Sequence, residues 1–416
     1  MKLQSPRGTA DLMPDEMARH RKVMDTARHL GGRFGFEEMA TPIFEFTDVF
    51  ARPLGEGSDV VTKETYSFTD RGGEGLTLRP EGTAGVVRAL ISAGLTQTLP
   101  QKFFYSGPMF RYERPQKGRM RQFHQIGVEL LGPGQPLADS EVIHLGQMIL
   151  EDLGVAGSCV LHLNSLGDAS SRSSYREALV AYLNGHRSSL SEDSLRRLEV
   201  NPLRILDSKD EGDRAVLEDA PQLDGYLNAE SKSHFDRVCA LLDAAGVPFK
   251  LNPKLVRGLD YYCHTAFEFI TEALGAQGTV MGGGRYDGLA ETLGGPAVAG
   301  VGWAAGVERL ALLADAAESL PVPLVLIGMG EDCEMTLAGL AAALRRGGAR
   351  VEMPYGGNLG KQMKRADKLG ARYVAIQGGD EAAAGVVLLR DMTDGSQQQI
   401  DLADALAVLG KLAAES

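Results

Sequence analysis

Apolar side chains recur at three- and four-residue spacing from Asp11 to Phe34 among basic residues, which predicts a helix, and "GFEEMATPIFEF" (Gly35 to Phe46) follows as an extended run interrupted by Pro42. Between Lys102 and Leu131 two β-rich stretches flank the polar segment Arg114 to Arg121. That segment is too long for a two-residue turn, so a hairpin with a basic loop is expected, with a bulge at Pro108 because proline cannot donate to the ladder. From Asp168 to Gly246 the pattern turns helical ("REALVAYLNGHRSSL", "SHFDRVCALLDAAG") and reads as an inserted module. Strand-like sequence returns in "LVRGLDYYCHTAFEFI" and "GTVMGGGRYDGL", and "GWAAGVERLALLADAA" is expected to be a helix ending near Ser319. "ESLPVPL" (Glu318 to Leu324) reads as a linker. Beyond it runs a β-α-β-α-β series ("PLVLIGM" to "ARYVAIQG") and a hairpin turning at Asp394-Gly395, a separate α/β domain. The expected organisation is therefore residues 1–167 and 247–317 forming one core, 168–246 inserted in it, 318–324 linking, and 325–416 separate.

A chain of 416 residues exceeds what a single core usually serves, and 44% hydrophobic with 24% charged residues is an ordinary soluble composition. With no signal-like N-terminus and no long apolar run, the cytoplasm is the expected location and no membrane partner is expected. Four widely spaced cysteines suggest neither zinc site nor disulfide framework. A net charge of −12 argues against a general nucleic-acid coat, so basic patches must be found locally.

One such patch is "FRYERPQKGRMRQFHQIGVE", which carries Arg111, Arg114, Lys117, Arg119 and Arg121. On the first strand Arg111 and Glu113 share a face with Met109, and on the return strand Gln125, Gly127 and Glu129 share one. Paired, they form a polar floor offering a guanidinium for a phosphate, carboxylates for a metal or an amine, and an amide, beneath a cationic loop. A solvated hairpin with weak surface ion pairs is the plain alternative. In "MGGGRYDGL" neither the Gly-x-Gly-x-x-Gly spacing nor a following Walker lysine is present, so the glycines read as close backbone packing near a ligand. His124 and His264 read as satisfied polar groups rather than metal ligands.

The hairpin stretch resembles the second signature motif of class II aminoacyl-tRNA synthetases through Phe110-Arg111-Tyr112-Glu113 and Phe123. "LVRGLDYY" (Leu255 to Tyr262) and "GGGRYDGL" (Gly282 to Leu289) are similar to the two signatures of the histidyl-tRNA synthetase family, and "GVGWAAGVERL" resembles the third class II motif, with Trp303 where a smaller aromatic is more usual. The likeness extends from "RGTADLMP" through "LTLRPEGTAGVVRA" to the C-terminal domain. It implies an α/β fold: an α+β catalytic domain built on an antiparallel sheet, a helical insertion and a C-terminal mixed α/β anticodon-binding domain. It also implies a histidine–tRNA ligase using ATP and Mg²⁺, with L-histidine and tRNA(His) as partners and, through Gly35 to Phe46, a homodimer.

By that resemblance Arg111 and Arg257 are catalytic, meeting the α-phosphate and the reacting carboxylate. A structural ion pair of Arg257 with Asp260 is the alternative. Glu81, Thr83 and Gln125 are expected to hold the α-ammonium, Tyr261 and Tyr286 to line the side-chain slot, and Glu129 and Tyr262 to pair with the imidazole. Arg111, Glu113, Arg119, Phe123 and Arg309 are expected at ATP, with Phe123 and Arg309 enclosing adenine; no metal ligand is assigned. Gln116 and Lys117 are expected at tRNA. So are Arg345, Lys361, Lys364 and Arg365, part of a stretch (Arg345 to Arg372) with eight basic residues against Glu352 and Asp367. The competing function is a synthetase-like regulatory subunit, in which motif residues and the C-terminal domain are typically lost; Arg257, Tyr262, Arg309 and a full basic C-terminal module favour the enzyme.

Overall fold

The computed structural model describes residues 3–54, 64–115, 119–257, 259, 261–275, 278–315 and 321–415. The chain divides into two compact units, Met1–Ala317 and Glu318–Ser416.

The first unit is organised by an eight-stranded sheet in the order Glu37–Glu38, Gln101–Phe110, Gln122–Gly132, Ala299–Gly306, Thr279–Arg285, Cys263–Thr271, Cys159–Ser165, Lys250–Leu251. Its six inner strands pair antiparallel, and only the two short edge strands are parallel to their neighbours. The pleat sorts side chains by face. Ile126, Val128, Leu130, Phe267, Phe269, Val301, Trp303 and Ala305 enter one core cluster with residues from helices Pro14–Arg33, Pro136–Asp152, Ala229–Ala244 and Val307–Leu313. Their alternates, Gln125, Gly127, Glu129, Glu268, Gly302, Ala304 and Gly306, are left to the opposite face. There a second cluster joins helix Thr83–Ser92 and the helices of 169–218 to Tyr105, Tyr262 and Tyr286.

The hairpin forms as expected, Phe110 pairing with Gln122, but without the bulge: the register runs unbroken through Pro108 and His124. Proline is tolerated because the neighbour on the other side, Glu37–Glu38, pairs only with Phe103 and Phe104, leaving Pro108 an unpaired side. The helix expected over "GWAAGVERLALLADAA" is half strand. Residues Ala299–Gly306 lie between two sheet neighbours and the helix starts only at Val307, because small residues there make room for side chains beneath them. A Cβ on Gly302 would collide with the Glu129 carboxylate, and one on Gly300 with the Tyr286 ring. The stretch Leu255 to Tyr262, expected as strand, has no strand among its described residues; the strand begins at Cys263. The residues Gly258 and Asp260, the glycine and aspartate around Arg257's loop, lie outside the described set, as do Gln116, Lys117 and linker residues 318–320.

A second sheet of three strands, Phe44–Phe46, Gly75–Leu78 and Tyr66–Thr69, turns the usual pattern outward. Glu45 is buried and takes an ion pair from Arg88, while its neighbours Phe44 and Phe46 are 51% and 57% exposed. The second unit is a five-stranded mixed sheet ordered Val351–Glu352, Leu324–Gly328, Tyr373–Gln377, Val386–Asp391, Gln397–Asp401. Helices Glu331–Arg346 and Leu402–Ala414 pack in one apolar cluster with it and helix Leu359–Lys368 in another, and Gly395, at φ 76°, turns the predicted final hairpin.

Candidate active site

The polar face of the large sheet floors a cavity of roughly 460 Å³. Glu81 and Thr83, at the start of helix Thr83–Ser92, form one wall, and Arg111, Glu113, Arg119, Phe123 and Gln125 from the hairpin another. Arg257, Tyr261 and Tyr262 close a third side, and Arg309, in the first turn of helix Val307–Leu313, the fourth. Gly282 sits on the floor because any side chain would strike Arg257: a Cβ there would lie 2.7 Å from its Nη1.

Four guanidinium groups therefore converge on one space. Burial pulls the Arg111 and Arg309 pKa values down, and Arg119 and Arg111 lower Arg309 further. For Arg257 burial is again the largest influence, but the Tyr262 hydroxyl and the Glu268 carboxylate, with Tyr261 adding to them, oppose it and raise its pKa. Its guanidinium is ion-paired with Glu268 and lies 5.1 Å from the Tyr262 ring centroid. Asp260, the partner foreseen as an alternative, is among the residues not described. Arg119 is ion-paired with Glu113, and Arg111 donates to the Pro80 carbonyl at 2.9 Å while lying 5.4 Å from the Phe123 ring centroid.

The carboxylates behave differently. Glu81 accepts the backbone N–H groups of Thr83 (2.5 Å) and Ala84 (3.0 Å), yet burial still raises its pKa. Glu129 is wholly buried beneath the cavity lining, accepting hydroxyls from Thr83 at 2.7 Å, Tyr105 at 3.4 Å and Tyr286. Burial outweighs these donors and pushes its pKa up to about 8. Glu129 and Tyr286 thus stand behind the lining rather than on it. Among the described residues, three polar atoms at the cavity have no hydrogen-bond partner: Gln125 Oε1, Arg257 Nε and the Tyr261 hydroxyl. Buried polar atoms are normally paired, so these mark where a polar ligand would dock.

Pattern reading missed Glu268, whose signal was a lone acid in the apolar run "TAFEFI", and Tyr105, whose ring fits only because residues 82 and 127 are glycines. His124 is satisfied as expected, by Glu308. His264 is not: its Nδ1 is buried without a partner, its φ is 46°, and its ring stacks on His234 at 5.1 Å.

In the second unit, Lys361, Lys364, Arg365 and Lys368 are exposed along one face of helix Leu359–Lys368, whose opposite side buries Gln362 and Ala366. Tyr355, which sequence reading also missed, is 85% exposed beside them, with Arg365 5.6 Å from its ring centroid. Arg345 is tied down, donating to the Val351 carbonyl at 2.8 Å.

A histidyl-tRNA synthetase family model matches residues 8–310 and an anticodon-binding domain model residues 323–412. The chain is 62% identical to a histidine–tRNA ligase of Rhodospirillum rubrum over 402 residues, 96% of this chain and 97% of that one. It is 55% identical to the ligase of Gluconacetobacter diazotrophicus, covering 99% of both chains. The crystal structure of apo Staphylococcus aureus histidyl-tRNA synthetase superposes with a TM-score of 0.82 at 35% identity, covering 98% of this chain and 100% of that one. A catalytic-domain match spanning nearly the whole first unit, joined to one on the second and to this level of identity, establishes that the chain belongs to the histidyl-tRNA synthetase family.

Proposed function

We infer that this protein is a histidine–tRNA ligase that activates L-histidine with ATP and transfers the histidyl group to the 3′ end of tRNA(His), releasing AMP and pyrophosphate. The observation that carries the site assignment is the convergence of Arg111, Arg119, Arg257 and Arg309 on one cavity. In activation the amino acid carboxylate attacks the α-phosphorus and pyrophosphate leaves, so two anions must be brought together. Arg111 and Arg257 offset that repulsion and the charge gathering on phosphorus, which makes catalysis a matter of positioning and electrostatics. Arg119, Arg309 and Phe123 hold the nucleotide, and Glu113 orients Arg119.

Glu81, Thr83 and Gln125 receive the α-ammonium, with Gln125 Oε1 still lacking a partner. Tyr262 and Tyr261, on the lining, receive the imidazole ring, and Glu129 and Tyr286 act from beneath them as the polar base of the slot. Leaving buried polar groups unpaired penalises isosteres by roughly 10⁴ or more. A Mg²⁺ ion would accompany the triphosphate and offset its charge. The described cavity carboxylates are already engaged: Glu113 by Arg119, Glu268 by Arg257, Glu308 by His124 and Glu81 by backbone N–H groups. They make no protein cage, and an ion held by phosphate oxygens and water suits Mg²⁺.

The basic face of Leu359–Lys368 together with Arg345 meets tRNA phosphates, and Tyr355 offers a stacking surface for an unpaired anticodon base. Gln116 and Lys117, which lie outside the described residues, are assigned to the acceptor end of the tRNA. The outward phenylalanines of the small sheet are the surface of a homodimer. No described helix is long and apolar enough to cross a membrane, and we place the enzyme in the cytoplasm with its tRNA.

Pyrophosphate exchange into ATP, run with each of the twenty amino acids, tests the assignment. Exchange with histidine alone, reduced at least about 10³-fold by Arg257→Ala, is expected. A folded wild-type protein without exchange would remove the ligase reading.

A further inference from the structure

The strand Ala299–Gly306 pairs with Gln122–Gly132 up to Gly306 opposite Gln125, and there it leaves the sheet to become a helix. The next backbone N–H along the partner strand, that of His124, loses its ladder acceptor. The Glu308 side chain supplies one: its two carboxylate oxygens lie 2.9 and 3.0 Å from the His124 backbone nitrogen, and one also lies 2.9 Å from His124 Nδ1. A carboxylate only accepts, so His124 carries its proton on Nδ1. Behind the pair, the His20 ring packs edge-on to His124 at 5.5 Å. Glu308, His124 and His20 each bring a metal-ligating atom to within 4.8 Å of the others. Both Glu308 oxygens are nevertheless taken up by His124, so the group reads as a bracket rather than a metal site.

The bracket's position gives it a role. His124 follows Phe123 and Glu308 precedes Arg309, and Phe123 and Arg309 are the two sides of the proposed adenine slot. They sit on elements that part company at Gly306, and beside the apolar packing of Val307 and Leu310 with Ile126, the Glu308–His124 bracket is a hydrogen-bonded tie between the neighbours of Arg309 and Phe123. We propose that Glu308 and His124 are positioning residues for ATP, holding Phe123 and Arg309 at the spacing that accepts the adenine ring. This rests on the adenine reading of those two residues.

The test measures KM for ATP, KM for histidine and kcat in pyrophosphate exchange for His124→Ala, His124→Asn, Glu308→Gln and Phe123→Ala. His124→Ala should raise the ATP KM about ten-fold with the histidine KM unmoved, and Glu308→Gln, which keeps size but loses charge, should raise it less. His124→Asn, whose side-chain amide can still donate to Glu308, should restore it to within about three-fold. General loss of folding cannot imitate this split, since a smaller folded fraction lowers kcat without changing KM. If Phe123→Ala raises the ATP KM while both His124→Ala and Glu308→Gln leave it alone, or move both KM values together, the bracket has no positioning role. If Phe123→Ala itself leaves the ATP KM unchanged, the adenine slot is wrong and the bracket proposal falls with it.

Discussion

Glu129 is a carboxyl group kept from behaving as one in water. Hydroxyls from Thr83, Tyr105 and Tyr286 point at it, yet complete burial prevails and its pKa rises to about 8 from an ordinary 4.5. A group whose folded pKa is raised binds more protons folded than unfolded between those two values. Its contribution to stability is therefore fully present below pH 4.5 and is lost as pH rises through about 8. Glu129→Gln, neutral throughout, removes this dependence. The melting temperature of the wild type, relative to that variant, should fall by several degrees between pH 5 and pH 9, on the order of the ~2–4 °C per kcal/mol expected for a unit this large. Parallel melting curves across that range would show that Glu129 is already ionised in the fold. Residue identity made Glu129 legible in the sequence as an acceptor on a polar face. Its depth was not legible, because it follows from Gly302 and Tyr286, brought in by distant strands.

At the scale of elements, the Phe-Glu-Phe strand shows a limit of periodicity. Alternation tells which residues share a face but not which face is covered, and the ordinary guess would bury the phenylalanines. The structure buries Glu45 against Arg88 instead. In register, Phe46, Leu76 and Phe68 form one row and Phe44, Leu78 and Tyr66 the next, the three phenylalanines exposed and Leu76, Leu78 and Tyr66 half-buried between and beside them. Exposed apolar rows of this kind mark an interaction surface. Phe46→Asp should convert a dimer to a monomer in light scattering, whereas a wild type that is a stable, active monomer would refute the proposed assembly. The basic hairpin shows the reverse case. Arg111 and Gln125 could be placed on one face from spacing alone, and the structure brings both to the cavity wall. The bulge expected at Pro108 failed because the sequence does not say how far a neighbouring strand extends.

At the scale of the whole molecule, the second unit has its own sheet and two apolar clusters of its own, so it should fold alone. A fragment of residues 322–416 is expected to bind tRNA weakly, with affinity falling steeply as salt rises because Lys361, Lys364, Arg365 and Lys368 act through phosphate charge. Absence of binding at low salt would overturn that role. The sequence by itself determined the chemistry: which stretches carry guanidinium, carboxylate and phenol groups, how they alternate along each strand, and the motifs by which the family is recognisable. Those properties are local, set by residue type and a period of two or 3.6. Only the tertiary structure decided that Arg257 pairs with Glu268, that Glu129 is sealed from water, and that Glu308 stands in for a missing strand at His124. Each of those depends on contacts between segments far apart in the chain, and burial, which sets the pKa values, exists only once they have met.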